Sequence, residues 1–404
     1  MTCRYRMMHV VHGLDVGGLE VMLNRMVKRL DASRFQSTIC CFDVRGSLAE
    51  DFEEAGIRVL FLPRKPRIDY RYPFRLAQLF RRERIDLAHL HTEMGFIYGV
   101  IAGRLARTPG IVYTEHGRDF PATARKTFAN RLLSASGVHS VPVSAALRDN
   151  LVAYERFPLS RMTVIHNGVP DPLRPDDARI RSLRAEMGAA DDNILLGTVG
   201  GLKKVKDHAG LIRAMPQLVA THPKTRLAIV GGGALHDALR QEIHRLHLDN
   251  HVVLTGERKD VAPYLHAFDI FVLTSRNEGM PLCLLEGLAA GKPVVSMNVG
   301  GVSEALADGV EGFLVPAANY PRFVERLAWL MDHPEERKAM GQRGRCRYVR
   351  QFTIERMVAS YTALYEKLLL DSGAAVAARK AQLSRNALEL KDAATHMHTA
   401  SAAT

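Results

Sequence analysis

The sequence predicts an α/β protein made of two doubly wound, Rossmann-like domains. Three observations lead there. A chain of 404 residues is too long for one ordinary core. A strand, a glycine turn and a helix open it, Met7 to His12 followed by Gly13-Leu14-Asp15-Val16-Gly17-Gly18-Leu19-Glu20, and the same unit restarts at Ile194. Between the two lies a stiff, polar connector carrying Pro170, Pro172 and Pro175, which sets a boundary near Arg174.

The first helix is expected to run through Leu30, with Gly17 and Gly18 letting backbone approach a phosphate or sugar at its start. Further strands are expected at 38–42, 58–62, 87–90, 110–113 and 140–143, with helical segments between them. Several end in polar residues: His89 and His91, then Glu115, His116 and Gly117, then Ser144. Ligands gather at such carboxyl ends in open α/β sheets.

The second half repeats the pattern. Ile194 to Val199 leads into Gly200-Gly201-Leu202-Lys203-Lys204-Val205-Lys206, and strand-glycine units recur at 227–233 and 252–256. Phe268 to Leu273 is an apolar run rich in β-formers that delivers the chain to a polar loop. Pro281 fits the first position of a helix of roughly ten residues beginning beside Met280, and Gly291 fits the position after its last turn. The free N–H groups at that helix start favour an anion such as a phosphate. Glu278 precedes the helix and Glu286 lies on it; a carboxylate on so apolar a helix needs a partner or a task. From 321 to 370 the pattern is helical, with Trp329, Tyr348, Phe352, Tyr361 and Tyr365 at core spacings, and 371–404 reads as a loose alanine-rich tail.

Composition bounds the function. With 47% apolar and 24% charged residues the chain is an ordinary globular one. Its start leads straight into a strand and no stretch suits a membrane span, so the expected location is cytoplasmic, or peripheral on the inner face of the plasma membrane. The five cysteines show no metal-like or paired spacing, which implies reduced thiols. Net charge is +12, and residues 64–86 hold eight basic side chains against three acidic, interleaved with Tyr70, Tyr72, Phe74, Leu76, Leu79 and Phe80. That stretch reads as a basic amphipathic surface suited to an anionic membrane, or as the solvated face of a basic protein. No nucleic-acid motif accompanies the charge.

Glu278 and Glu286, spaced as E-x7-E inside an E-G-x-P-x4-E-G-x-A-x-G-x-P-V pattern, resemble the signature of the retaining glycosyltransferases of family 4. The resemblance covers roughly residues 7 to 370 and includes Thr114-Glu115-His116-Gly117, Val164 to Asp171 and Gly309 to Val315. It implies the GT-B fold, two Rossmann-like domains facing a cleft with the last helix crossing back to the first domain. It divides the chain into an acceptor-side domain at 1–174, a donor-side domain at 175–350 and a crossing helix at 351–370. It also implies roles. Gly17 and Gly18 lie against the donor, Lys206 holds its diphosphate and Glu286 its ribose. Glu278 holds the donor sugar with the N–H groups of Gly279 and Met280, and His116 lies near the transferred sugar. One position departs from the pattern: Gly201 stands where the family has an arginine on the diphosphate, and Lys203 or Lys204 is left to take its place.

The resemblance thus implies transfer of a sugar from a UDP- or GDP-sugar to a glycan or lipid-linked acceptor, and His12 to Glu20 with Glu115 to Asp119 look most like bacterial exopolysaccharide-associated members. No cofactor is implied. No Asp-x-Asp occurs as a metal handle, so cations and helix termini are expected to stabilise the leaving diphosphate. A nicotinamide oxidoreductase would need a G-x-G-x-x-G turn, which neither half supplies. The same fold also suits a non-catalytic, sugar-nucleotide-binding partner of a transferase complex, or a nucleotide-sugar epimerase.

Overall fold

The computed structural model describes residues 4–373. The first sheet contains β1 (Tyr5–Gly13), β2 (Phe35–Val44), β3 (Arg58–Phe61), β4 (Leu87–His91), β5 (Gly110–Glu115) and β6 (His139–Pro142), in the order β3-β2-β1-β4-β5-β6. The second contains β7 (Ile194–Val199), β8 (Thr225–Val230), β9 (Val252–Gly256), β10 (Ile270–Leu273), β11 (Val294–Asn298) and β12 (Gly312–Pro316), in the order β12-β11-β10-β7-β8-β9. The named strands pair in parallel throughout both sheets. Strands covered on both faces must be apolar through and through, which is why runs such as Ile270 to Leu273 are wholly buried.

Both sheets have one topology. Strand order reverses between β1 and β4 in the first and between β7 and β10 in the second. Loops splay apart at such a reversal and leave a crevice at the strands' carboxyl ends. Gly17 and Gly18 follow β1, His116 follows β5, Lys206 follows β7, and Glu278 follows β10.

One face of the first sheet is closed by the helix Ile354–Asp371, whose Met357, Tyr361, Leu364, Tyr365 and Leu369 pack with Met7, Val11, Leu87 and Val112. The chain enters it through Thr353, whose side chain accepts from Arg356 N–H, and through Ile354 N–H donating to Val169 O. The last helix therefore crosses from the second domain onto the first. It also carries polar groups inward: Tyr365 Oη bonds His89 Nδ1 at 2.7 Å and Tyr361 Oη lies 3.1 Å from Thr114 Oγ1.

Three expectations need correction. The helix after the polar loop is Leu282–Ala289, and Pro281 is its extended cap at φ −72°, ψ 119°. The first helix stops at Val27, short of Leu30. On the basic stretch, Tyr72, Leu76, Leu79 and Phe80 of the helix Tyr72–Glu83 are buried core residues, because that helix packs its apolar side on the sheet; Ile68, Tyr70 and Phe74 stand out, 57%, 76% and 63% exposed. Of the tail, residues beyond 373 lie outside the described residues.

Candidate active site

The two crevices face each other, and their walls touch at several points. Gly279 lies so close to the first domain that a Cβ there would overlap the carbonyl oxygen of His116. Asn277 Nδ2 donates to Asp119 Oδ1 at 2.7 Å, and Asn167 Nδ2 donates to Met280 O at 2.8 Å. Gly300, at φ +52°, presses against the Glu278 carbonyl where any side chain would collide. The loop from Asn277 to Met280 is thus held on both sides.

Lys206 and Glu278 are brought together, Nζ to Oε1 at 2.6 Å. Tertiary bonds fix that geometry: Arg276 N–H donates to Val205 O at 2.8 Å and Thr274 Oγ1 to Lys206 O at 3.1 Å. Burial opposes the Lys206 charge, but the Cys283 and Glu278 groups beside it outweigh burial and lift its pKa. Glu286 is the second paired carboxylate. Arg25, from the helix Gly18–Val27 of the first domain, donates to its Oε1 at 2.7 Å. Burial raises the Glu286 pKa, and Arg25 pulls against that rise.

Near Gly17 the Glu20 side chain folds back so closely that a Cβ on Gly17 would overlap its Oε2, and Gly18 faces Leu282 across the cleft. Burial raises the Glu20 pKa, offset in part by His12 and Lys203. At the arginine-lacking position, a Cβ on Gly201 would meet Lys203 Cε at 3.5 Å and Cδ at 3.8 Å. The Lys203 chain therefore runs through the space beside Gly201.

His116 sits half-buried at the end of β5. Its loop is shaped by Glu115, which accepts from Gly117 N–H at 3.0 Å, Tyr113 Oη at 2.6 Å and Arg118 Nε at 2.7 Å. Arg118 also bonds Glu93 and the fully buried Glu155. Glu115, noted in the sequence as a strand-end polar residue, is thus committed to building the turn. Burial pushes the His116 pKa down to about 3.

The candidate residues Gly17, Gly18 and His116 thus follow strands of the first sheet and Lys206, Glu278, Gly279 and Met280 strands of the second, with Glu286 on the next helix; the Met280 side chain itself is buried in the core. Two family descriptions match the chain: Glycosyltransferase Family 4 over residues 16–171 and Glycosyl transferases group 1 over residues 180–347.

The chain belongs to glycosyltransferase family 4.

This family 4 glycosyltransferase is 26% identical over 330 residues to the N-acetyl-alpha-D-glucosaminyl L-malate synthase of Bacillus anthracis, covering 79% of this chain and 84% of that one. It is 26% identical to the UDP-Gal:alpha-D-GlcNAc-diphosphoundecaprenol alpha-1,3-galactosyltransferase of Escherichia coli, over 80% and 87% of the two chains. The fold matches HepE of Anabaena, solved in complex with UDP, at TM-score 0.80 and 21% identity over 90% of this chain and 100% of that one. The architecture is therefore GT-B.

Sequence reasoning missed Arg25, because nothing in its own helix marks it; its partner arrives only when the domains dock. It also missed that His9, His89 and His91 meet. Each was visible as a histidine in a strand, but the register that sets His9 opposite His89 is a long-range pairing.

Proposed function

We propose that this family 4 glycosyltransferase is a retaining, metal-independent enzyme that moves a sugar from a UDP- or GDP-sugar to a glycan or lipid-linked glycan. The setting would be bacterial exopolysaccharide or lipopolysaccharide synthesis. The observation that carries the reading is the Lys206–Glu278 pair at one crevice with the His116 turn against the same loop. In this reading the diphosphate lies against Lys206, Lys203 and the free N–H groups at the start of helix Leu282–Ala289. Glu286 accepts from the ribose, and Glu278 with the Gly279 and Met280 N–H groups holds the sugar. The acceptor hydroxyl attacks the anomeric carbon on the face the diphosphate leaves. The carbon–oxygen bond to phosphate breaks as the new glycosidic bond forms, and a leaving phosphate oxygen takes the proton. Donor sites occupy the second domain and acceptor sites the first. UDP is favoured as the base-bearing half, because HepE was solved with UDP and the Escherichia coli relative is named for UDP-Gal.

The decisive experiment is thermal stabilisation by UDP, GDP, ADP and NAD, followed by transfer from the matching nucleotide sugar to a lipid-diphosphate-linked acceptor. A rise in melting temperature with UDP, lost in Glu286→Ala, together with product formation, is the expected result. Stabilisation without transfer would favour the non-catalytic partner, and stabilisation by NAD alone would overturn the reading.

The same proposal includes an anionic membrane surface. Tyr70 and Phe74 stand exposed beside Arg71, Arg81, Arg82 and Arg84. The helix Tyr72–Glu83 packs on Glu93–Ala106, which packs on Ala124–Ser134, where Phe128 and Leu132 are 71% and 64% exposed among Arg125 and Arg131. Exposed aromatics set among arginines suit the headgroup region of an anionic bilayer. Among the described residues no helix is long and apolar enough to cross a membrane.

A further inference from the structure

A line of imidazoles runs from the buried sheet to the cleft. The register of β1 and β4 sets His9 beside His89, and a period of two along β4 puts His91 on the same face. Pairing of β5 with β4 sets Thr114 beside His91, and His116 follows two residues on. As a result His9 Nδ1 lies 3.3 Å from His91 Nε2, and His91 Nδ1 lies 3.1 Å from His116 Nε2. His9 and His91 are wholly buried, and His9 Nε2 has no hydrogen-bond partner. At the other end His116 is half-buried against the Gly279 loop, and its Nδ1, unlike His9 Nε2, is not among the buried nitrogens that lack a partner. His89 stands outside the line, with Nε2 bonded to Thr114 Oγ1 and Nδ1 to Tyr365 Oη, both at 2.7 Å.

Burial keeps these rings neutral, pushing His9 and His116 down to about 3 and His91 well below the usual histidine range. A neutral imidazole carries one N–H and one bare nitrogen. In a line of neutral rings each ring-to-ring bond takes one proton, so the remaining proton must sit at one end. It is on His9 Nε2 or on His116 Nδ1. The first choice buries an N–H with nothing to accept it, and orphaned buried N–H groups are rare and costly. The second leaves only a bare nitrogen in that spot.

We infer that His9 and His91 act as positioning residues that fix the tautomer of His116, so that it presents Nδ1–H to the cleft as a hydrogen-bond donor. His116 then meets an oxygen lone pair of the ligand, whether on a sugar hydroxyl or a phosphate. To accept a hydrogen bond at Nδ1 instead, all the rings of the line must exchange protons and His9 must orphan one. His9, His89 and His91 place ring nitrogens within 4.8 Å of one another, which also resembles a metal donor set. But both nitrogens of His89 and both of His91 are engaged in hydrogen bonds, so a cation would have to break bonds the fold already makes. The inference rests on the proposed function only for the identity of the ligand.

The test is NMR of protein labelled at the histidine ring nitrogens, in which bare and protonated nitrogens resonate far apart. His116 is assigned by the signals lost in His116→Gln. Unliganded wild type should show His116 as a single tautomer, protonated at Nδ1 and bare at Nε2. His91→Asn, which keeps an N–H donor near the former Nδ1, should preserve that pattern. His91→Phe should lose it and show mixed tautomers. A His116 protonated at Nε2 in wild type, an unchanged pattern in His91→Phe, or stoichiometric zinc in the purified protein would overturn the inference. If His91→Phe does not fold, the wild-type and His91→Asn spectra decide. Because no substrate is present, failure to transfer sugar leaves this result untouched.

Discussion

Arg25 of the first domain and Glu286 of the second form an ion pair of 2.7 Å across the cleft, with Glu286 only 12% exposed. It is a direct electrostatic tie between the two halves at the place where a ribose contact is proposed. Arg25→Ala would strand a buried carboxylate, and breaking such a pair costs about 2 kcal/mol where one partner keeps some solvent. The expected results are a lower melting temperature and UDP binding weakened about tenfold. Arg25→Ala/Glu286→Gln should recover part of the stability but none of the UDP affinity; equal loss in single and double variants would refute the coupling.

Lys203 is expected to do the work of the absent arginine. Lys203→Ala should lower kcat by about ten- to a hundredfold with less effect on stability, while Lys204→Ala stays near wild type. Gly201→Arg in the Lys203→Ala background should restore part of the rate, since a Cβ at Gly201 meets Gly232 O at an ordinary 3.8 Å and the Lys203 carbons otherwise beside it are removed in that background. Steady-state kinetics on the four proteins decide this.

The histidine cluster makes stability pH-dependent with a fixed sign. His9 titrates near 3 in the fold against 6.5 ordinarily, so the unfolded chain takes up a proton that the folded one refuses. That contribution is fully present above 6.5 and is lost as pH falls toward 3. From about pH 7.5 to about pH 5 His9 alone should cost roughly 2 kcal/mol. Melting temperature measured across that range should fall in wild type and fall less steeply in His9→Leu.

Membrane docking predicts that Phe74→Ser/Phe128→Ser reduces co-sedimentation with phosphatidylglycerol vesicles severalfold. Replacing Arg81, Arg82 and Arg84 with glutamine should steepen that loss at low salt. Transfer to a soluble acceptor should be unchanged in both. Binding that survives both sets of changes would sink the idea.

Much of this molecule was legible in one dimension. Parallel strands buried on both faces must be continuously apolar, so short apolar stretches announce them without reference to the rest of the chain. Glycine turns at strand ends mark where backbone must bend sharply or come close to something. These local demands placed Gly17, Gly18, His116, Lys206 and the Glu278–Glu286 stretch at strand ends before any topology was known. They misjudged Tyr72, Leu76, Leu79 and Phe80, since an apolar stripe on a basic helix looks alike whether it faces a sheet or a bilayer.

By itself, then, the sequence determined which residues stand at the carboxyl ends of the strands, because that depends on neighbours a few positions away. Only the tertiary structure decided what they meet. Arg25 reaches Glu286, Lys203 fills the space beside Gly201, and His9 joins His91 through strand pairings and domain contacts between residues far apart in the chain. The physical reason is range: a turn or a strand is specified by local sterics and burial, whereas a partner is specified by how separately formed elements pack.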